Sequence, residues 1–177
     1  MPIREAIILA GGKGTRLRRV VCDVPKPMAS IQGKPFLEIL IERFASKGMS
    51  HFILSVGYMH EVIVEHFTNR YQHLSITFSI ENEPLGTGGA IRAACQHLTG
   101  SHTLVMNGDS LLDVDLSVID QQLVEQPILF GRMVDEVGRY GRIVFDDDCN
   151  MTDFSEKSQK GRGCINGGVY YLRKDSL

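Results

Sequence analysis

The segment from Ala6 to Gly14 constrains this chain more than any other. Ala6-Ile7-Ile8-Leu9 is an unbroken apolar run and reads as a buried strand over residues 5–10. Gly11, Gly12 and Gly14 follow it at once. Glycines there let the backbone approach a ligand closely. Successive free N–H groups in such a loop form a concavity that holds an anion. Lys13, Arg16, Arg18, Arg19 and Lys26 then place five cations within fourteen residues, against one acid, Asp23. The net charge of the whole chain is only −2, so this basic cluster is local. It suits a small polyphosphate, and neither nucleic acid nor a membrane is expected as a partner.

The 177 residues suit a single domain with a full core, and 43% hydrophobic with 23% charged residues is the balance of a soluble globular protein. No apolar run approaches the roughly 20 residues of a membrane span. Met1-Pro2-Ile3-Arg4-Glu5 lacks a signal-peptide pattern. Cys22, Cys95, Cys149 and Cys164 are scattered with no CxxC pair, so they read as reduced thiols of a cytoplasmic protein. The six histidines show no metal-ligand spacing. Homo-oligomerisation is compatible with the sequence but has no signature in it.

Strand and helix patterns alternate through the first two thirds. After the glycine loop, Ile31 to Lys34 reads as a brief link and Pro35 as the first turn of a helix. Phe36, Leu37, Leu40, Ile41 and Phe44 recur at helical spacing, and Gly48 is a natural stop. Strands are predicted at His51–Val56, Ser75–Glu81, Thr103–Met106 and Ile128–Met133, and helices at Glu61–Phe67, from Gly86 onward, and at Leu116–Glu125. The end of the chain is strand-rich, with segments at Arg142–Phe145, Met151–Glu156 and Cys164–Leu172. Alternating β and α elements imply a doubly wound, mostly parallel sheet, to which the later strands add antiparallel or mixed pairings.

In open sheets of this kind ligands bind beyond the carboxyl ends of the strands. Gly11–Arg16, Glu81–Gly89 and Asn107–Asp109 sit at three such ends and should meet in one crevice. The first loop is neither a P-loop nor a dinucleotide fingerprint. Gly14 stands where a P-loop needs a hydroxyl, and Leu17 where the dinucleotide pattern needs its third glycine. Arginine takes phosphate oxygens bidentately and lysine supplies a point charge. Pro25 and Pro27 stiffen the backbone that presents Lys26. Asp109, after Gly108 at a strand end, is placed to hold Mg²⁺ against bound phosphates. Glu81 and Glu83 border the glycine segment that ends at Gly89. A carboxylate only accepts hydrogen bonds, which matches the adjacent N1–H and N2–H donors of guanine. Asp113 and Asp115 read as loop and helix-cap residues, and Asp146-Asp147-Asp148 as a solvated turn.

The chain resembles the sugar-phosphate nucleotidyltransferases. The resemblance rests on Leu9-Ala10-Gly11-Gly12-Lys13-Gly14-Thr15-Arg16-Leu17, Pro25-Lys26-Pro27-Met28, Gly33-Lys34-Pro35 and Glu83-Pro84-Leu85-Gly86-Thr87-Gly88-Gly89-Ala90. Asn107-Gly108-Asp109, Tyr140-Gly141, Glu156-Lys157 and Asn166-Gly167-Gly168 continue it in family order. Within the family it is most similar to the heptose 1-phosphate guanylyltransferases, then to the mannose-1-phosphate enzymes. The resemblance implies a Rossmann-like doubly wound mixed sheet of the nucleotide-diphospho-sugar transferase type. It implies that Leu9, Ala10, Gly11, Gly12, Gly14, Thr15 and Arg16 hold the nucleotide, with Arg16 on its phosphates, and that Lys26 stabilises the α-phosphate and pyrophosphate. Glu81 or Glu83 and the Gly86–Gly89 backbone, Gly86 and Thr87 included, would read the base, and Asn107 and Gly108 would also bind the nucleotide. Asp109 would bind Mg²⁺. Gly141, Glu156, Lys157 and Asn166 would receive the sugar phosphate.

Two departures stand out. Ser158 follows Glu156-Lys157 where the family has proline. The family's second metal-binding Asp lies beyond the Asn-Gly-Gly segment, and this sequence ends at Leu177. The expectation is therefore one nucleotidyltransferase domain over 1–177, truncated at its C-terminus. The expected reaction is Mg²⁺-dependent transfer of GMP from GTP to a heptose 1-phosphate, in lipopolysaccharide, capsule or S-layer glycan synthesis. The alternatives are mannose 1-phosphate or another hexose 1-phosphate as acceptor, a uridine, thymidine or cytidine nucleotide as donor, a non-catalytic nucleotide-sugar-binding regulatory domain, and a phosphotransferase or nucleotide switch.

Overall fold

The computed structural model describes residues 4–12, 23–68, 70–121, 126–155 and 160–177. Lys13, Gly14, Thr15, Arg16, Arg18, Arg19, Cys22, Glu156 and Lys157, all singled out above, lie outside the described residues.

The first strand, β1 (Glu5–Leu9), leads to the glycine segment. A 3-10 turn at Lys26–Met28 precedes β2 (Ser30–Ile31) and β3 (Lys34–Pro35). Then follow α1 (Phe36–Ala45), β4 (His51–Val56), α2 (His60–Phe67), β5 (Ser75–Ile80), α3 (Gly86–Ala94) and β6 (His102–Asn107). The last third holds α4 (Leu116–Gln121), β7 (Ile128–Val134), β8 (Arg142–Phe145), β9 (Met151–Ser155) and β10 (Gly163–Arg173).

The large sheet runs β5-β4-β1-β6-β10-β8-β9, with β7 also paired to β10. The four strands β5, β4, β1 and β6 are mutually parallel. β10 joins β6 antiparallel, and β7, β8 and β9 extend that antiparallel part. This is a mixed sheet with a parallel core. The alternating half of the sequence supplies the parallel strands, and the strand-rich end supplies the antiparallel ones. Within that part only β8 and β9 are joined by a short turn, over residues 146–150, as an antiparallel pair allows.

Parallel strands buried on both faces read as continuous apolar runs. Ala6 and Ile8 of β1 pack into the larger core with Leu37, Leu40, Ile41 and Phe44 of α1 and Ile63 and Phe67 of α2. Ile7 points the other way, to Ile91 and Ala94 of α3. Burying each of these isoleucine, leucine and phenylalanine side chains is worth about 1.5–3 kcal/mol. Because β4 and β5 lie on one side of β1 and β6 on the other, the winding reverses at β1. Ligands of open α/β sheets bind at that reversal, beyond the strand ends.

One element was not foreseen. The expected link at Ile31–Lys34 is a two-residue hairpin joining β2 to β3, with Gln32 at φ 51° and Gly33 at φ 85°. Two positive φ angles make the tight turn that matches strand twist. Pro35 precedes α1 with extended backbone instead of occupying its first turn. Cys95, Cys149 and Cys164 are free thiols. Among the described residues no helix is long and apolar enough to cross a membrane.

Candidate active site

Three neighbouring strand ends are brought together by small residues. Beyond β1, a Cβ on Gly11 would lie 3.0 Å from Glu81 Oε1 and 3.3 Å from the Gly57 amide nitrogen. Beyond β4, a Cβ on Gly57 would lie 3.2 Å from the Gly11 carbonyl oxygen. Beyond β6, a Cβ on Gly108 would come within 2.8 Å of the Leu9 carbonyl oxygen. Glycine at these sites lets the chain segments touch. Backbone bonds then lock them: Ala10 N–H to Ser55 O at 2.7 Å, Gly108 N–H to Leu9 O at 2.9 Å and Glu81 N–H to Val56 O at 2.8 Å.

The result is a cleft of about 990 Å³ at the carboxyl edge of the parallel strands. That volume lies at the upper end of ordinary small-molecule sites. Its floor is Leu9, Ala10, Gly11 and Gly12. Lys26, Asn107 and Asp109 form one wall, and Glu81, Gly86 and Thr87 belong to the other. No side chain caps α3, so the first-turn amides from Gly86 are left for a ligand or water. The helix dipole makes that end attractive to anions or polar acceptors.

Lys26 Nζ donates to Asp109 Oδ2 across the wall. The two side chains are 34% and 38% exposed, so a ligand can reach both. Asp113, close in sequence, is occupied elsewhere. It pairs with Arg43 and Lys47, and hydrogen bonds from those two cations hold its carboxyl down to about 2. Asp115 accepts from Ser117 N–H at 2.9 Å at the start of α4, as a cap does. Asp146 accepts from the Asp148 and Asn150 amides in a surface turn.

Glu81 and Glu83 part company. Glu81 is half-buried and lines the cleft, whereas Glu83 is exposed outside it. Glu81 Oε1 accepts from the Ser55 hydroxyl at 2.8 Å and Oε2 from Leu85 N–H at 3.2 Å. Gly108 is buried beneath the floor and does not line the cleft. Gly141 and Asn166 lie to the side, in the antiparallel part. Gly141 packs under the Phe154 ring, where a Cβ would approach within 2.5 Å. Asn166 donates to Tyr170 Oη at 2.7 Å and accepts from Gly168 N–H at 2.8 Å across a bulge in β10. A Cβ on Gly168 would meet Asn107 Nδ2 at 2.8 Å, so that bulge abuts the cleft wall.

Sequence reasoning missed a fourth segment, Gly57, Tyr58 and His60, beyond β4. Gly57 directly after a strand was the available signal. Among the described residues no group of three or more His, Cys, Asp or Glu could hold a metal by themselves. Magnesium needs less than that. It commonly takes one or two carboxylates and completes its shell with phosphates and waters. Asp109, a reachable carboxylate in a cleft roomy enough for a phosphorylated ligand, fits that habit.

A glycine-floored cleft at the reversal point of a mixed α/β sheet, with a lysine and an aspartate on one wall, defines a mononucleotide-handling α/β protein. The chain belongs to the nucleotidyl transferase family, whose model matches residues 5–177. It is 43% identical over 172 residues to the D-glycero-alpha-D-manno-heptose 1-phosphate guanylyltransferase of Campylobacter jejuni, covering 97% of this chain and 76% of that protein. The enzyme of the same description from Aneurinibacillus thermoaerophilus is 44% identical over 177 residues, covering 96% and 75%. The crystal structure of HddC from Yersinia pseudotuberculosis complexed with GMP-PN matches with a TM-score of 0.88 at 40% identity, covering 98% of this chain and 78% of that one.

Proposed function

We propose that the protein transfers GMP from GTP to D-glycero-D-manno-heptose 1-phosphate. A phosphate oxygen of the sugar attacks the α-phosphorus, the bond to the β-phosphate breaks, and pyrophosphate leaves. The observation that carries this reading is the Lys26–Asp109 pair facing Glu81 across one cleft. It puts a phosphate-side cation and anion opposite a carboxylate suited to guanine. The relatives described above bear the same activity in their names.

The attacking oxygen is already anionic, so no base is needed to activate it. Catalysis rests on alignment and on charge placed where the transition state develops it. Gly11, Gly12 and Gly86 offer backbone N–H groups to the nucleotide, and Arg16 would add a guanidinium from the glycine loop. Lys26 leaves Asp109 for the α-phosphate and the departing pyrophosphate. Glu81 accepts from the guanine edge. Asp109 would hold Mg²⁺, which when bound neutralises phosphate charge. Gly141, Glu156, Lys157 and Asn166 would take the sugar phosphate beside the cleft. The reaction belongs in the cytoplasm, where GTP is available.

Pyrophosphate release tests this directly, with the four triphosphates against heptose, mannose and glucose 1-phosphates. Release with GTP and the heptose substrate is expected to exceed every other pairing. Preference for mannose 1-phosphate would reassign the sugar. Nucleotide binding without release under any pairing would leave a regulatory binding domain.

A further inference from the structure

Ser55 is fully buried near the carboxyl end of β4, at 0% exposure, on a strand where Phe52, Ile53, Leu54 and Val56 are all apolar and equally buried. A hydroxyl in such a place costs free energy unless it is bonded. Its bond goes to Glu81 Oε1, 2.8 Å away. Ser55 lies level with Ser79 on β5, and strand alternation puts Glu81, two residues beyond Ser79, on the same face. The sheet register therefore brings a buried donor to a cleft-lining carboxylate.

The second oxygen of that carboxylate is fixed by Leu85 N–H at 3.2 Å. Two donors on two different oxygens set both the position and the plane of the group. Each carboxylate oxygen has about two acceptor sites, so one on each stays open. Two parallel acceptors are what the N1–H and N2–H pair of guanine requires. Gly11 clears the space beside Oε1.

We propose that Ser55 is a positioning residue for base selection, acting through Glu81. The inference rests on the reading that Glu81 accepts from guanine. Removing the hydroxyl frees one end of the carboxylate, which then turns out of the plane that takes two donors at once. Discrimination by the second donor is lost before binding itself is.

Calorimetric titration with GTP and with ITP, which lacks the 2-amino group, measures this without any sugar substrate. The unaltered protein should bind GTP at least tenfold more tightly than ITP. Glu81→Gln should abolish that preference. Ser55→Ala should cut it at least threefold through weaker GTP binding, and Ser55→Thr, which keeps the hydroxyl, should restore it. Melting curves of each variant establish that it is folded. A full GTP preference in Ser55→Ala, with the preference lost in Glu81→Gln, overturns the role of Ser55 and leaves Glu81 standing. An unchanged preference in Glu81→Gln overturns both. Equal weakening of GTP and ITP in Ser55→Ala reduces Ser55 to a structural residue and also sinks the proposal.

Discussion

Lys26 and Asp109 stand 83 residues apart in the chain, and the ion pair between Nζ and Oδ2 closes one wall of the cleft. Both side chains are about one-third exposed. Pairs of this kind contribute about 0–1 kcal/mol to stability, so the pair is easily exchanged for a ligand. In the proposed reaction its partners take phosphate and cation, and little of the fold depends on them.

Lys26→Ala should therefore separate activity from stability. Turnover should fall more than tenfold, a loss above about 1.4 kcal/mol of transition-state stabilisation. The melting temperature should move by less than about 4 °C, since about 1 kcal/mol shifts a domain of this size by that much or less. Pyrophosphate-release kinetics beside a thermal melt check both. Unchanged turnover would remove Lys26 from the mechanism.

Gly108→Ala should act through the backbone. The new Cβ would sit 2.8 Å from the Leu9 carbonyl oxygen and 3.3 Å from Ala10 Cβ, so β6 must shift away from β1. Overpacking of this kind costs about 1–3 kcal/mol. Urea unfolding should show that loss, and GTP affinity should fall with it because Asp109 moves.

Acid should weaken the fold through two buried carboxylates. Burial pushes Glu38 up, but hydrogen bonds from Arg70 and His66 outweigh it and hold the group below 4.5. Burial likewise opposes Glu5, and the Thr99 amide, His51 and the Gly100 amide bring it below the same value. A carboxyl that is more acidic when folded binds fewer protons than in the unfolded chain. Its stabilisation is complete above 4.5 and is lost as pH falls through the lowered value. Thermal melts should stay level in this respect above pH 5.5 or so and decline below about 4.5. Glu38→Gln should lower the plateau and flatten the decline.

Phe44→Ala should cost about 3–5 kcal/mol, because Phe44 is fully buried in the larger core. Phe145→Ala, at 48% exposure on β8, should stay within about 0.5 kcal/mol of the unaltered protein. Chemical denaturation of both variants gives the comparison. Equal losses would contradict the assignment of the core.

Local patterns carried much of the fold. His51–Val56 reads as a strand and is one, because an apolar run of that length bounded by polar residues has few other solutions. Gly86 was expected to open a helix and begins α3. Asp109 was singled out from a strand end and a glycine, and the cleft wall includes it. The hairpin at Gln32 and Gly33 escaped notice because Gln at positive φ has no signature in the sequence. Gly57, Tyr58 and His60 escaped because only the order of strands puts β4 beside β1.

The sequence by itself determined which chemical groups are available: the glycines and cations after β1, the carboxylates near residue 81 and Asp109. Their types follow from composition and their approximate positions from the period of each element, both local properties. Tertiary structure alone decided which of them meet. Glu81 enters the cleft and Glu83 does not, because β5 ends at Ile80: Glu81 still follows the strand's register and meets Ser55, and the chain has left the strand by Glu83. Ser55 reaches Glu81 because β4 pairs in register with β5, and Lys26, on its 3-10 turn, reaches Asp109 beyond β6 only because folding brings those distant segments to one edge of the sheet.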